Sequence, residues 1–432
     1  MLLKIQELTN CRYRRIGVKK GQVVWELVHA NIEADPGIMH AEPSHIAAGD
    51  AYCEAEKLLP MITPVALCRN ITEVLADPLY CSLAPRIEGL LSRVHQSDFR
   101  PADAPARTRY RAVAWNIERG SRFDQQVDAL QSDARLADCD LLLVIEADAG
   151  MARSGNRMVA EELARELGMA QVFAPCYLAL GKGSGVERDV TGANRFGLHG
   201  NALLSRYPIR DARALTLPNG VDKMAHREKR LGRQAAVVAT VDFPGRSVQA
   251  VSLHLDAQST QRHRFQQMRG VLDQLDPSLP TVIGGDWNTS TYDSSHALWA
   301  ILGFWRRVFM GVDHVMRNHY LHPGRWFERA LFRLLEKHGF DYRSANVPGA
   351  ATFYYDTKDI RASRNLNEWV PEWCFTFLHW SLRNHGGRCP LKLDWFAVRG
   401  LRAENPTVAH DLARAYGEPL SDHYPIVIDL VF

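Results

Sequence analysis

Five short apolar runs in this chain are bordered by residues able to do ligand or acid–base chemistry. Asn116 follows YRAVAW, Glu146 follows LLLVI, His254 and Asp256 follow VQAVSL, Asp286 and Asn288 follow TVIGG closely, and Asp422 with His423 precede PIVIDL. Carboxylates and an amide are hard oxygen donors, which suit Mg²⁺ or Mn²⁺, whereas the histidines are too dispersed for a zinc HExxH arrangement. A hard divalent cation in turn suits phosphate. It polarises the phosphoryl oxygen and stabilises the leaving oxyanion while a carboxylate or imidazole deprotonates water. Singly, each residue has a plainer use: Asn116 as a turn residue, Asp286 and Asn288 as an Asx turn, Glu146 as a solvated strand end, Asp422 as a local cap. The chemistry needs all of them in one place.

The elements that would bring them together are readable. Tyr110–Trp115, Leu141–Ile145, Asn201–Ser205, Ala235–Val241, Val248–Leu253, Thr281–Gly284, Leu393–Val398 and Pro425–Leu430 have strand length and β-branched content. Several are unbroken apolar runs, as strands covered on both faces should be. Between them Gln125–Ala137, Asn156–Leu167 and Thr260–Leu275 read as helices, the last with Phe265, Met268, Val271, Leu272 and Leu275 on one side. The pattern predicts an α/β fold with sheets sandwiched between helices. Side chains at strand ends then converge on one rim, so distant residues can share a pocket.

The order WNIERG, VIEAD, GNALLSRYPI, SLHLDAQSTQRHRFQQM, GGDWNTS, LDWF and SDHYPI resembles the endonuclease/exonuclease/phosphatase superfamily over about residues 111 to 432. That resemblance implies a four-layer α/β sandwich and a Mg²⁺-dependent hydrolase of phosphoester bonds, with Mn²⁺ as a substitute. Nucleic acid, phospholipid and inositol phosphate are all open as substrates. It implies metal ligation by Glu146, Asn116 and Asp422. Asp286 and Asn288 would orient or deprotonate water and hold the phosphoryl oxygen, and His254 would protonate the leaving group. His423 would pair with Asp394, and either His423 or Asp286 would take the water proton. Arg230 and Arg233 would reach phosphate, and Asn201 would line the cleft. A carboxylate on one imidazole nitrogen fixes the tautomer and favours the protonated ring. The alternative is a catalytically silent binding module, against which the complete set of site residues argues.

Composition narrows the rest. The chain has 432 residues, 46% hydrophobic and 23% charged, so disorder and fibrous designs are excluded. A net charge of +3 announces no nucleic-acid or membrane partner in bulk. The first twenty residues carry charges where a signal peptide needs an apolar run, and eight cysteines are scattered without a CxxC pair; both predict a cytoplasmic protein with reduced thiols. The Pro- and Ala-rich stretch 97–109 predicts a boundary near residue 105, with 1–105 an accessory, mainly helical region and 106–432 the catalytic domain. An insertion at about 291–375 stands out. Between His296 and Phe340 it holds nine aromatic residues and seven Lys or Arg against three acids. Its helix Trp326–Lys337, with Phe327, Ala330, Leu331 and Leu334 on one face, is expected to pack on the main domain, with a substrate-facing or membrane-surface lid as the alternative.

Overall fold

The computed structural model describes residues 13–19, 22–27, 48–101, 105–289, 293, 297–357 and 373–432. Two compact units divide the chain, one ending at His45 and one starting at Ile46. In the first, strands β1 (Tyr13–Lys19) and β2 (Gln22–Leu27) form an antiparallel hairpin. The second opens with helices Ala48–Ile62, Ile71–Ala76 and Pro78–Leu91. The boundary expected near residue 105 therefore falls inside the larger unit. Leu58, Ile62, Ile87 and Leu90 from these helices share one core with Val113, Trp115 and Leu142 of the central strands.

Two large sheets follow. One has eight strands: β3 (His95–Asp98), β4 (Tyr110–Arg119), β5 (Leu141–Ala149), β6 (Ala170–Ala179), β7 (Leu198–Ser205), the short β9 (Arg230–Gly232), β16 (Arg402–Val408) and β17 (Ile426–Val431). Its order is β16-β17-β4-β5-β7-β6-β3, with β9 paired to β6. The other has five: β8 (Ile209–Thr216), β10 (Ala235–Phe243), β11 (Arg246–Ser252), β12 (Thr281–Asp286) and β15 (Asp394–Arg399), in the order β15-β12-β11-β10-β8. The pairs β4·β5 and β11·β12 are parallel and the other pairs within these sheets are antiparallel.

Strand alternation explains the layering. Along β4, Ala112 and Ala114 face the second sheet while Val113, Trp115 and Ile117 face helices, since successive side chains point to opposite faces. The inter-sheet core joins Leu141, Leu143, Leu203 and Ile428 to Val237, Ala239, Val248, Val282 and Phe396. Behind the eight-stranded sheet lie Phe123–Ser132 and Val159–Leu167, along with the leading helices. Behind the five-stranded sheet lies Gln261–Leu272, joined by Arg329–Lys337 from the insertion. The result is the expected four-layer α/β sandwich.

The insertion supplies helices Ala297–Met310, Val312–Val315, Arg329–Lys337 and Trp373–Leu382, with a hairpin of β13 (Phe353–Asp356) and β14 (Arg388–Leu391). The helix expected at 326–337 starts at Arg329, and its buried face is Leu331, Phe332 and Leu335. Ala330 is exposed. Phe332 sets this rotation by inserting between Trp287, Trp395 and Tyr342, with ring centroids 4.7 Å apart from both Trp395 and Tyr342. Glu328 at its start meets Arg264 in a fully buried pair at 2.6 Å. This helix is therefore packed structure, which removes it as a lid. No helix among the described residues is long and apolar enough to cross a membrane.

Candidate active site

Bulges decide where the first two residues point. Asn116 and Glu146 lie within β4 and β5 rather than after them, and the register shifts between Asn116 and Arg119 on one strand and between Val144 and Ala147 on the next. Glu118, Arg119 and Glu146 take positive φ there, at 47°, 67° and 59°. A bulge inserts an unpaired residue and re-aims its side chain. Asn201 braces the second one: its Oδ1 accepts from the Glu146 N–H at 3.2 Å and its Nδ2 donates to the Ala235 carbonyl at 2.8 Å. Asn201 is thus buried scaffold with both amide atoms used, and it does not line the cleft as expected.

The third and fourth strands meet through a glycine. Gly285 has φ 140°, and a Cβ there would sit 2.2 Å from the Leu253 carbonyl oxygen. Without that Cβ, the stretch after β11 can run close beside β12, and the Leu255 N–H donates to the Asp286 carbonyl at 2.9 Å. This places His254 next to Asp286. The Asx turn foreseen as the plain use is also present, since the Asn288 N–H donates to Asp286 Oδ1 at 2.9 Å. Asn288 Nδ2 donates to the Leu255 carbonyl at 2.9 Å, tying the two loops together.

Asp286 Oδ2 is the focus. It accepts from Asn116 Nδ2 at 3.3 Å and lies 3.6 Å from both His254 Nε2 and His423 Nε2. His423 Nδ1 is bonded to Asp394 Oδ2 at 2.8 Å, and Asp394 sits directly opposite Asp286 in the β12·β15 ladder. The backbone of Asp394 is fixed by Thr352, whose hydroxyl oxygen accepts its N–H at 3.0 Å. The His423 carbonyl accepts from Trp115 Nε1 at 3.0 Å, and Ser421 Oγ donates to the Asn116 carbonyl at 2.6 Å. Three strands, β4, β12 and β15, and the loops after β11, after β12 and before β17 therefore bring Asn116, His254, Asp286, Asn288, Asp394 and His423 together.

Electrostatics divide the labour. Burial opposes charge on His423, but Asp394 and Asp286 outweigh it and lift the imidazole well above its ordinary value. Burial pushes the Asp286 carboxyl up, Asp394 adds to this, and His423 and His254 oppose it. Burial would also raise Glu146, yet the Arg119 guanidinium and the rings of His254, His199 and His423 hold it well below the usual carboxylate range. Asp422 keeps an exposed edge, yet desolvation raises its carboxyl, with the charges on Glu146 and Asp286 adding to this and His423 and Arg119 opposing it. Acidic crowding of this kind offers hard oxygen donors to a divalent cation, while Asn116 Oδ1 accepts the Glu118 N–H at 3.1 Å. Asp286, Asp394 and His423 also bring one donor atom each within 4.8 Å of one another, although His423 Nδ1 is already engaged by Asp394.

The remaining expected residues fall elsewhere. Asp256 is locked by Lys223 at 3.0 Å and by the Gly220 N–H at 2.7 Å. Arg230 stacks over the Tyr177 ring at 4.9 Å with Glu228 3.8 Å away, while Arg233 is exposed and its N–H donates to the Cys176 carbonyl. Sequence reasoning missed a second network near Glu146. Arg153 joins Asp148 at 2.8 Å, Glu228 at 2.8 Å and Glu187 at 3.2 Å, and His199 Nδ1 lies 2.8 Å from Asp148. The available signal was Asp148 itself, two residues after Glu146 on the same strand. Nothing local marks Arg153.

A sandwich of two mixed sheets with acids and imidazoles gathered at one rim defines a class of α/β hydrolytic scaffold. Residues 113–423 match the model of the Endonuclease/Exonuclease/phosphatase family, and the chain belongs to that family. No curated protein matches it in sequence. Among solved structures it is similar to an endonuclease/exonuclease/phosphatase from Beutenbergia cavernae, at 19% identity over 76% of this chain and 72% of that one, with a TM-score of 0.45. It is also similar to a 3′ phosphatase from Neisseria, at 16% identity over 75% and 100% with a TM-score of 0.43. An AP endonuclease from Archaeoglobus fulgidus gives 15% identity over 75% and 99% with a TM-score of 0.42.

Proposed function

We propose that the chain is a divalent-metal-dependent hydrolase of phosphoester bonds, acting by in-line attack of water on phosphorus. The observation that carries this reading is the convergence on Asp286 Oδ2 of an amide and two imidazoles from separate strand ends, in a chain of this family. Glu146, Asp422 and Asn116 would hold Mg²⁺, or Mn²⁺ in its place. When bound, the cation supplies charge to the phosphoryl oxygen and the leaving oxyanion.

The protein's own groups do the rest. Asp286, raised by burial, is a competent acceptor for the proton of attacking water. His423 shares that role, or faces the phosphoryl oxygen as a cation held by Asp394. Asn288 donates to the phosphoryl oxygen. The oxygen–phosphorus bond forms as the ester bond breaks, and His254, 3.6 Å from Asp286, protonates the departing oxygen. Arg230, outside this cluster over Tyr177 and 3.8 Å from Glu228, would contact a further phosphate of an extended substrate. Nucleic acid, phospholipid and inositol phosphate share the reacting group and all suit this chemistry. A cytoplasmic setting belongs to the same reading and rests on the scattered cysteines.

Labelled DNA, RNA, sphingomyelin and inositol phosphates incubated with Mg²⁺ test the proposal. Asp286→Ala should lower turnover by about 10³-fold. Absence of Mg²⁺-dependent turnover on every substrate would leave only the binding-module alternative. Glu146→Gln should weaken Mg²⁺ in a calorimetric titration, and an unchanged titration would move the cation to Asp286, Asp394 and His423.

A further inference from the structure

The insertion carries a surface that the chemistry above does not use. Helix Ala297–Met310 reads ALWAILGFWRRVFM and helix Trp373–Leu382 reads WCFTFLHWSL, with Arg306 and Arg307 as their only Lys, Arg, Asp or Glu residues. Helices this apolar normally occupy a core. Yet none of the side chains 298–310 is buried, and Phe309 is 84% exposed, Leu298 63%, Trp299 53% and Trp380 50%. The helices meet through Trp305 and Phe377, with ring centroids 5.1 Å apart, and still present Leu302, Met310 and Phe377 to solvent. Leu298, Trp299, Leu302, Phe309, Met310, Phe377 and Trp380 thus crowd exposed apolar surface onto two touching helices, beyond the single apolar residues scattered over an ordinary surface.

We propose that this helix pair docks on the surface of an anionic phospholipid bilayer. At about 1.5 Å per residue, the longer helix is roughly 21 Å long, short of the ~30 Å hydrocarbon core, so it would lie in the interface rather than span it. Charge specifies the partner. Arg317 pairs with Asp313 at 2.9 Å and Arg388 lies 3.5 Å from Asp356, which leaves Arg306, Arg325 and Arg383 around the two helices without an ion pair among the described residues. Arginine around exposed tryptophan, phenylalanine and leucine is the composition of an interfacial helix on anionic lipid. A two-fold dimer would instead bring two copies of the same basic patch together. Exposed aliphatic side chains such as Leu298 and Leu302 have no role in stacking bases.

The surface is also wired to the site. Helix Trp373–Leu382 leads through a single turn, Arg383–His385, to β14, and β14 pairs with β13. Phe353 of β13 packs edge-on against His423 with ring centroids 4.9 Å apart. Docking would therefore bring His423 to lipid headgroups and make a headgroup phosphoester the substrate; this last step rests on the hydrolase reading, whereas docking does not.

Cosedimentation of the full chain with phosphatidylcholine vesicles, with and without phosphatidylglycerol, tests the docking. The chain should bind the anionic vesicles, and added salt should weaken the binding. The double variant Phe309→Ser, Trp380→Ser changes only exposed side chains, so its thermal unfolding should match the parent while vesicle affinity falls by about tenfold or more. No binding by the parent overturns the proposal, as does equal binding by the variant. A dimer in solution that the variant dissociates, without vesicle binding, assigns the face to a second copy and also overturns it. Hydrolysis of soluble bis(p-nitrophenyl) phosphate separates the two readings. Turnover without vesicle binding sinks the docking alone, and vesicle binding without turnover on any phosphoester sinks the hydrolase alone.

Discussion

Two carboxylate–imidazole pairs of identical length sit in this domain, and their surroundings give them different work. Asp394–His423 and Asp148–His199 are each joined at 2.8 Å through Nδ1. Beside the first pair the next charge is another carboxylate, Asp286, which adds to the pull on His423. Beside the second pair the next charge is the Arg153 guanidinium. Burial would raise Asp148, but Arg153 and His199 hold it down to about 2, and Arg153 is itself shared with Glu228 and Glu187. An Asp–His pair with a spare negative charge can load and move a proton. The same pair with its charge already neutralised is a brace. Hydrogen-bond length does not distinguish them; the third charge does.

The largest effect should come from breaking the brace. Asp148→Asn leaves the almost fully buried Arg153 short of one partner, and urea unfolding should show a loss of about 3 kcal/mol, near the low end for a broken buried pair because Glu228 and Glu187 remain. The pH–rate profile of the remaining activity should keep its position. A shifted profile with unchanged stability would make Asp148–His199 the working pair.

Asp394→Asn should do the reverse. It removes the main charge that raises His423, so kcat should fall by about 10²-fold, equivalent to roughly 2.7 kcal/mol, with little change in fold. The sign of the pH effect is fixed. Because the folded His423 value is raised, its protonated form contributes stability that is fully present below the unfolded value of about 6.5 and lost as pH rises through the folded value. The variant should flatten that alkaline loss and move the pH–rate limb downward. An imidazole NMR titration that matches the parent would show the pair to be structural.

Smallest, Asn201→Ala should cost about 1 to 2 kcal/mol of stability, from the hydrogen bonds to Glu146 and Ala235. If Glu146 holds the cation, loosening its bulge should also weaken Mg²⁺ by about tenfold, measurable by calorimetry. Loss of stability with unaltered Mg²⁺ affinity would separate the bulge from the metal site.

The insertion teaches a related lesson about periodicity. Its helix Arg329–Lys337 was legible as amphipathic, but the buried face turned on Phe332 and on the Arg264–Glu328 pair, which links residues 64 apart. In helix Gln261–Leu272, Arg264 and Gln267 are buried beside Met268, Val271 and Leu272, while Phe265 is only half-buried. An arginine in a core is invisible to a pattern that counts apolar residues, because its partner is supplied from another element.

The sequence by itself determined the layers and the family. Short apolar runs of strand length and the amphipathic helices between them are local properties, and the order of polar residues at the ends of those runs identifies the family. It also placed Asp286, His254, Asp394 and His423 near strand ends, where the structure joins them. Tertiary structure alone decided which side chains face the rim. The bulges at Asn116 and Glu146 depend on pairing with a neighbouring strand, Asn201 became scaffold because β10 came within reach of its amide, and Arg153 acquired three acids from three separate segments. Those outcomes depend on which strand lies beside which, and no short window of sequence holds that information.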